Sequence, residues 1–302
     1  MKRNTLKLLA LAALAAQAFF FNRTIAAEPV PVVASFSILG DLVQVVGGER
    51  VKLTTLAGPN ADAHAFTPSP RDARAVLNAR LFVINGLNFE PWAQKLAKSA
   101  GYKGVTVVAS TGVPARKMQE TGDSHGHHEA DPHAWQNPEH VALYVKNIAA
   151  GLSSVDPEGA ATYQANAAAY AEELKEIDAW AKAQFASIPV ARRKVITSHD
   201  AFGYFAAHYQ ISFLAPEGIS TDTEPSARHV AELIRQMKRE KIRVVFVENM
   251  RNPKLMTQLG RDAGATLGGT LYSDALSGPE EPGSSYLKLM RHNVTQLVAG
   301  MN

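Results

Sequence analysis

Four histidines crowd the stretch DSHGHHEADPHAW, residues 123–135: His125, His127, His128 and His133. Imidazole binds borderline divalent cations well, and the chain has no cysteine, so thiolate ligation is excluded. Three other polar residues follow short apolar runs of the kind that make strands. His64 comes after VKLTTLAG, His199 directly after KVITS, and Asp274 sits in GTLYSDALSG. His133 itself lies in DPHAWQNP, just ahead of a helix. In open parallel α/β sheets, ligands collect beyond the carboxyl ends of the strands. His64, His133, His199 and Asp274 therefore stand out as candidate ligands of one cation. Taken singly each has a plainer reading: a loop histidine is commonly a surface or capping group, and Asp274 could cap the turn before Ala275. Three imidazoles and a carboxylate suit Zn²⁺, and Mn²⁺ less well.

Such residues need elements that deliver them from separate directions. VPVVASFSILGDLVQVVGG reads as strand, turn and helix; SPRDARAVLNAR, LFVING, EPWAQKLAKSAG and GVTVVAS continue as helix, strand, helix and strand. The rhythm returns after residue 190 with RKVITS, AFGYFAAHYQ, ISFLAP, SARHVAELIRQMKREK, IRVVFVEN and NPKLMTQLGRDAG, and YLKLMRHNVTQLVAGM closes the chain as a helix. Between the two series, residues 156–188 are rich in Ala, Glu and Lys, without internal proline, behind an Asp-Pro entry. About thirty helical residues would span roughly 45 Å. The expected fold is α/β: two parallel-sheet lobes joined by a single long backbone helix, with the metal site at the lobe interface. The boundaries expected are a signal peptide over 1–27, an N-terminal α/β lobe over 28–155, the linking helix over 156–188 and a C-terminal α/β lobe over 189–302.

The leader reading rests on Lys2 and Arg3, the apolar LKLLALAALAAQAFFF and the small residues of TIAAEP. Removing it with Lys2, Arg3, Lys7 and Arg23 brings the 31 basic residues below the 28 acidic ones, and the net charge falls from +3 to about −1. Nothing in that balance favours nucleic acid. Without cysteine no lipid can be attached after the leader, so a soluble periplasmic protein, not lipidated, is expected. Catalytic zinc keeps a position open for water. Four protein ligands would close it, and the chain has no HExxH helix, GxSxG elbow or P-loop, so an enzyme such as a zinc-dependent hydrolase is disfavoured.

The chain also resembles the periplasmic zinc/manganese-binding solute receptors of ABC importers, the cluster A-I metal-binding proteins. The resemblance is carried by DAHAFTPSPRDA, NGLNFEPW, DPHAWQNP, TSHDAFGYFA, GISTDTEPSARHVAELI, VVFVENMRNPKLMTQLGRDAG and GTLYSDALSGPEEPGSSYLKLMRHNV, and covers nearly the whole mature chain. It implies that His64, His133, His199 and Asp274 are the ligands, that a long helix bridges two lobes which move little, and that the cargo passes to an ABC permease in the inner membrane. A periplasmic metallochaperone is a further candidate partner, and a monomer is expected. His125, His127 and His128 match the place of the family's His-rich loop and read as an auxiliary capture site, the alternative being a solvated loop without a role. Manganese receptors of the family tend to carry Glu where His199 stands, so zinc is the expected cargo and manganese the alternative. Among polar neighbours, Asp62, Asp131, Asp200, Asp222, Glu224 and Glu248 could orient the imidazoles. With imidazole near pKa ~6.5, metal affinity should fall below about pH 6.

Overall fold

In the computed structural model, residues 28–117, 130–218, 221 and 225–302 are described. The expected leader, the loop histidines His125, His127 and His128, and Asp222 and Glu224 lie outside them.

The chain opens with β1 (Val30–Phe36), α1 (Ser37–Gly47), β2 (Val51–Ala57), α2 (Pro70–Asn78), β3 (Leu81–Ile84), α3 (Pro91–Ala100) and β4 (Val105–Val108). The strands form one parallel sheet in the order β2-β1-β3-β4. β1 and β3 are apolar and buried on both faces, as strands between two helical layers must be. A second parallel sheet, ordered β6-β5-β7-β8, comes from β5 (Lys194–Ile196), α6 (Gly203–Tyr209), β6 (Ser212–Leu214), α7 (Ala227–Glu240), β7 (Val244–Glu248), α8 (Lys254–Ala263) and β8 (Thr266–Leu271).

α4 (Pro138–Val155) packs on the first, front sheet, and the single long helix α5 (Ala160–Ala186) joins it to the second, rear one. α4 starts with a proline at its first position and Asn137 as cap, whose Oδ1 accepts the Glu139 N–H at 2.9 Å. After one 3₁₀ turn, α5 runs for 27 residues, close to 40 Å at ~1.5 Å per residue. Asp156 does not cap it. Its carboxylate accepts from Arg50 Nε at 2.8 Å and Nη2 at 2.9 Å, and from the Tyr163 hydroxyl, which ties the α4–α5 turn to the end of α1. α5 packs on α4 and α1 on one side and on α9 (Tyr286–Met301) on the other.

The core is shared between the lobes. One continuous apolar cluster runs from Val32, Leu39 and Phe36 through Tyr144, Tyr163, Ile177 and Phe185 to Phe205, Tyr286 and Leu297. Smaller clusters under α2–α3 and under α7–α8 fill the outer face of each sheet. Each sheet is thus sandwiched, and the inner layers of the two lobes meet along α5.

Candidate metal centre

Each of the four candidate residues stands on an irregular segment braced by a carboxylate or by a strand end. His64 lies in the connection between β2 and α2, which ends where Ser69 and Asp72 cap α2 reciprocally. Asp62 Oδ1 accepts the N–H of His64 at 3.0 Å and of Ala65 at 3.4 Å, fixing the bend. Asp131 Oδ1 accepts both the N–H (3.0 Å) and the Nδ1–H (2.9 Å) of His133, so the ring turns Nε2 away from Asp131. Glu248, the last residue of β7, plays the corresponding part for His199. Its Oε1 accepts the N–H groups of Ser198 (2.8 Å) and His199 (3.0 Å), and its Oε2 lies 2.6 Å from His199 Nδ1. That last approach is a charge contact and not an aligned hydrogen bond. The same Oε2 accepts from Ser273 Oγ, next to Asp274.

Asp274, one turn past β8, is wholly buried, and neither of its oxygens has a hydrogen-bond partner among the described residues. Three imidazole nitrogens surround it instead. His199 Nε2 lies 3.0 Å and His64 Nε2 3.4 Å from Oδ2, and His133 Nε2 lies 3.6 Å from Oδ1. His64 and His133 present their Nε2 atoms to each other at 3.2 Å. Ligands at ~2.0–2.1 Å on a tetrahedral ion are separated by roughly 3.3–3.4 Å, and the four contacts, three of them shared between the two Asp274 oxygens, lie on either side of that value. The residues present therefore fit a four-coordinate divalent cation.

The electrostatics agree with a centre built for positive charge. Burial alone would raise the Asp274 carboxyl, but His199 and His133 hold it well below the usual carboxylate range. Burial alone would lower His199, but the carboxylates of Glu248 and Asp274 raise it well above an ordinary imidazole. His64 faces no second carboxylate; desolvation dominates and its pKa is lowered, and the neighbouring imidazoles add to the effect. Phe89 meets the His64 ring at 4.5 Å and Trp135 the His133 ring at 5.3 Å, a hydrophobic wall on the front-lobe side. Trp135 Nε1 (2.8 Å) and Gln136 Nε2 (2.9 Å) both donate to the Ser273 carbonyl, so the front lobe fixes the segment that carries Asp274.

All four residues chosen from strand-end positions come together. Of the six polar neighbours, Asp131 and Glu248 contact imidazoles and Asp62 braces a backbone, whereas Asp200 contacts none of the rings among the described residues. Phe89, the Trp135–Ser273 link and Gly203 escaped the sequence reading. A Cβ on Gly203 would overlap the Arg116 guanidinium and the Asp131 carboxylate, so a larger residue at the start of α6 would have to displace the ion pair that braces His133. A second grouping, Glu139, Asp178 and His208, also has the makings of a cation site. It is already satisfied: Asp178 accepts from Lys182 Nζ at 2.7 Å, His208 Nε2 at 2.7 Å and the Tyr209 hydroxyl at 2.9 Å.

Two α/β lobes on a helical spine, with buried imidazoles and a carboxylate at their interface, define a solute receptor for a divalent metal ion. Comparison with known proteins gives the family. Residues 32–300 match the profile of ZnuA, described as zinc-uptake complex component A, periplasmic. The chain is 32% identical over 275 residues to the manganese-binding lipoprotein MntA of Halalkalibacterium halodurans, covering 91% of this chain and 89% of that one. It is 34% identical over 284 residues to the iron-binding protein YfeA of Yersinia pestis, covering 92% and 88%. The solved periplasmic zinc-binding protein TroA of Treponema pallidum superposes with a TM-score of 0.84 at 27% identity over 91% of this chain and 99% of that one. The manganese-bound periplasmic metal-binding protein from Candidatus Liberibacter asiaticus gives 0.80 at 28% identity, covering 91% and 100%. The chain belongs to the zinc-uptake component A family of metal-binding receptors of ABC transporters, and is a binding protein, not an enzyme.

Proposed function

We propose that the protein captures Zn²⁺ outside the cytoplasmic membrane with His64, His133, His199 and Asp274 and delivers it to an ABC permease. The observation that carries this is the fully buried Asp274 carboxylate, partnerless among the described residues and ringed by three imidazole nitrogens. A buried anion without an aligned hydrogen bond is costly unless positive charge joins it. His199, its pKa raised against burial by Glu248 and Asp274, supplies that charge in the metal-free protein, and a divalent cation would take its place. Three nitrogens and one carboxylate at near-tetrahedral spacings favour zinc over harder ions. Manganese is the second reading. Both Asp274 oxygens are free to bind together, which would make a five-coordinate, more oxygen-rich site, and relatives are named for manganese and iron.

The protein works as a soluble monomer in the periplasm. Its relatives include lipoproteins, but this chain has no cysteine to carry a thioether-linked lipid. Among the described residues no helix is long and apolar enough to cross a membrane. His125, His127 and His128 act as an auxiliary capture site, and a metallochaperone is a candidate loader. Metal analysis of the purified protein tests the assignment, repeated for His199→Ala and for a chain lacking residues 123–130. One zinc per chain that survives the deletion but not the substitution supports it; manganese retained in preference to zinc under equimolar competition overturns the choice of cargo.

A further inference from the structure

The segment carrying His64 is tied to both lobes. On the front-lobe side Trp92 Nε1 donates to the Ala63 carbonyl at 2.7 Å, and the Phe66 and His64 rings pack on Trp92 and Phe89. From the rear lobe, the Leu276 carbonyl accepts the Asn60 N–H at 2.9 Å, Asn249 Nδ2 donates to Asn60 Oδ1 at 2.7 Å, and Thr221 Oγ1 donates to Asp62 Oδ2 at 2.7 Å. Arg251 adds a charged link, its Nη1 reaching Asp62 Oδ2 at 3.4 Å while its Nη2 grips Glu217. Glu217 in turn belongs to the backbone around His199: its N–H donates to the Ser198 carbonyl at 3.3 Å, and it bridges His199.

Arg251 therefore spans the cleft between two ligand-bearing segments, bonded on one side to the carboxylate that shapes the His64 turn and on the other to the neighbour of His199. The side chains of Arg251 and Asp62 are 20% and 18% exposed, enough shielding for a charge-assisted bond to outlast one on the surface. The His64 side chain is 5% exposed while those of the other three candidate ligands are fully buried, so His64 is the candidate ligand nearest solvent.

We infer that Arg251 is a positioning residue that sets how long the bound ion stays: its bridge from Asp62 to Glu217 must open before His64 can leave the metal. The inference rests on the four-residue site proposed above. Its strength is that of one charge-assisted hydrogen bond, so Arg251→Ala should speed release roughly tenfold to a hundredfold. Association should change little, since the four ligating atoms are untouched.

The test is a stopped-flow chase of zinc from the loaded full-length protein into a chromogenic chelator, with metal content measured in parallel. Arg251→Ala and Asp62→Asn, which keeps an acceptor for the His64 N–H, are each expected to raise the off-rate with one zinc still bound, and the double variant no more than the faster single one. Arg251→Lys keeps the charge but cannot fork to both carboxylates, and should fall between; it also serves if the alanine variant does not fold. Unchanged off-rates at full loading, or effects that multiply in the double variant, overturn the inference while leaving the site intact. If the wild-type protein binds no zinc, the reading beneath it fails first.

Discussion

At the scale of single residues, the three imidazoles are held in different ways: Asp131 bonds the His133 ring, Glu248 faces the His199 ring as a charge, and Asp62 fixes only the backbone of His64. Asp131 orients His133, and replacing it with Asn should weaken metal binding roughly tenfold to a hundredfold, as loss of such a partner typically does. Titration with a competing chelator checks this. His199 carries the pH dependence. Its pKa in the fold is raised by Glu248 and Asp274 against the burial that would lower it, so its protonated form favours the folded metal-free protein below the unfolded value and that contribution is lost as pH rises through the folded one. Asp274 runs the other way: its pKa is depressed, and its contribution fades as pH falls. A metal ion needs His199 neutral at Nε2 and must displace that proton. Affinity should therefore keep rising with pH above the ~6.5 of a free imidazole, and the acid-side loss should begin higher than the pH 6 expected from the sequence. Calorimetry in buffers of different ionisation enthalpy should show about one proton released per zinc at neutral pH; none released would contradict the His199 assignment. Glu90 offers a separate check. Burial pushes its carboxyl up to about 7, against bonds from the Asn85 N–H and Ser35 Oγ. Glu90→Gln should leave stability unchanged near pH 4 and raise it toward pH 8, by an upper bound of roughly 3 kcal/mol, as denaturant melts at the two pH values would show.

At the scale of elements, the two sheets are built to different standards. β1 and β2 pair over six positions, whereas β5 meets β7 at one, Ile196 with Val245, and the β7–β8 ladder is broken by an irregularity between Val245 and Val247. Amides of β5, β7 and β8 should exchange with deuterium faster than those of β1–β3, because sparse ladders open at lower free energy. The strands were legible in the sequence because each is a short β-branched run beside a helical period, and that rhythm also exposed the four site residues through their place at strand ends. The extent of α4 was not: only its entry at Asn137-Pro138 is marked, and its apolar positions serve two packed neighbours, so they show no single stripe. Choosing Asp131 and Glu248 from six acidic candidates lay beyond sequence too. Glu248 finds His199 across 49 positions, and Arg251 finds Asp62 across 189, distances that only the folded chain closes.

At the scale of the whole molecule, the lobes share one core along α5, so they should not melt separately. A single calorimetric transition is expected, shifted upward by saturating zinc; an excess of a hundredfold over the dissociation constant corresponds to about 2.7 kcal/mol. Two resolved transitions would contradict the continuous core. α9, the last helix, fills that same core. Tyr286, Leu289, Met290, Val294 and Leu297 are buried in it, and the Tyr286 hydroxyl donates to the carbonyl of Trp135, beside His133. The core shared by the two lobes therefore stays incomplete until some 280 residues have passed, whereas the smaller cluster under α2–α3 draws only on residues before 103. A nascent chain stalled before Tyr286 should be digested faster than the finished one, most of all in the rear lobe that α9 packs against.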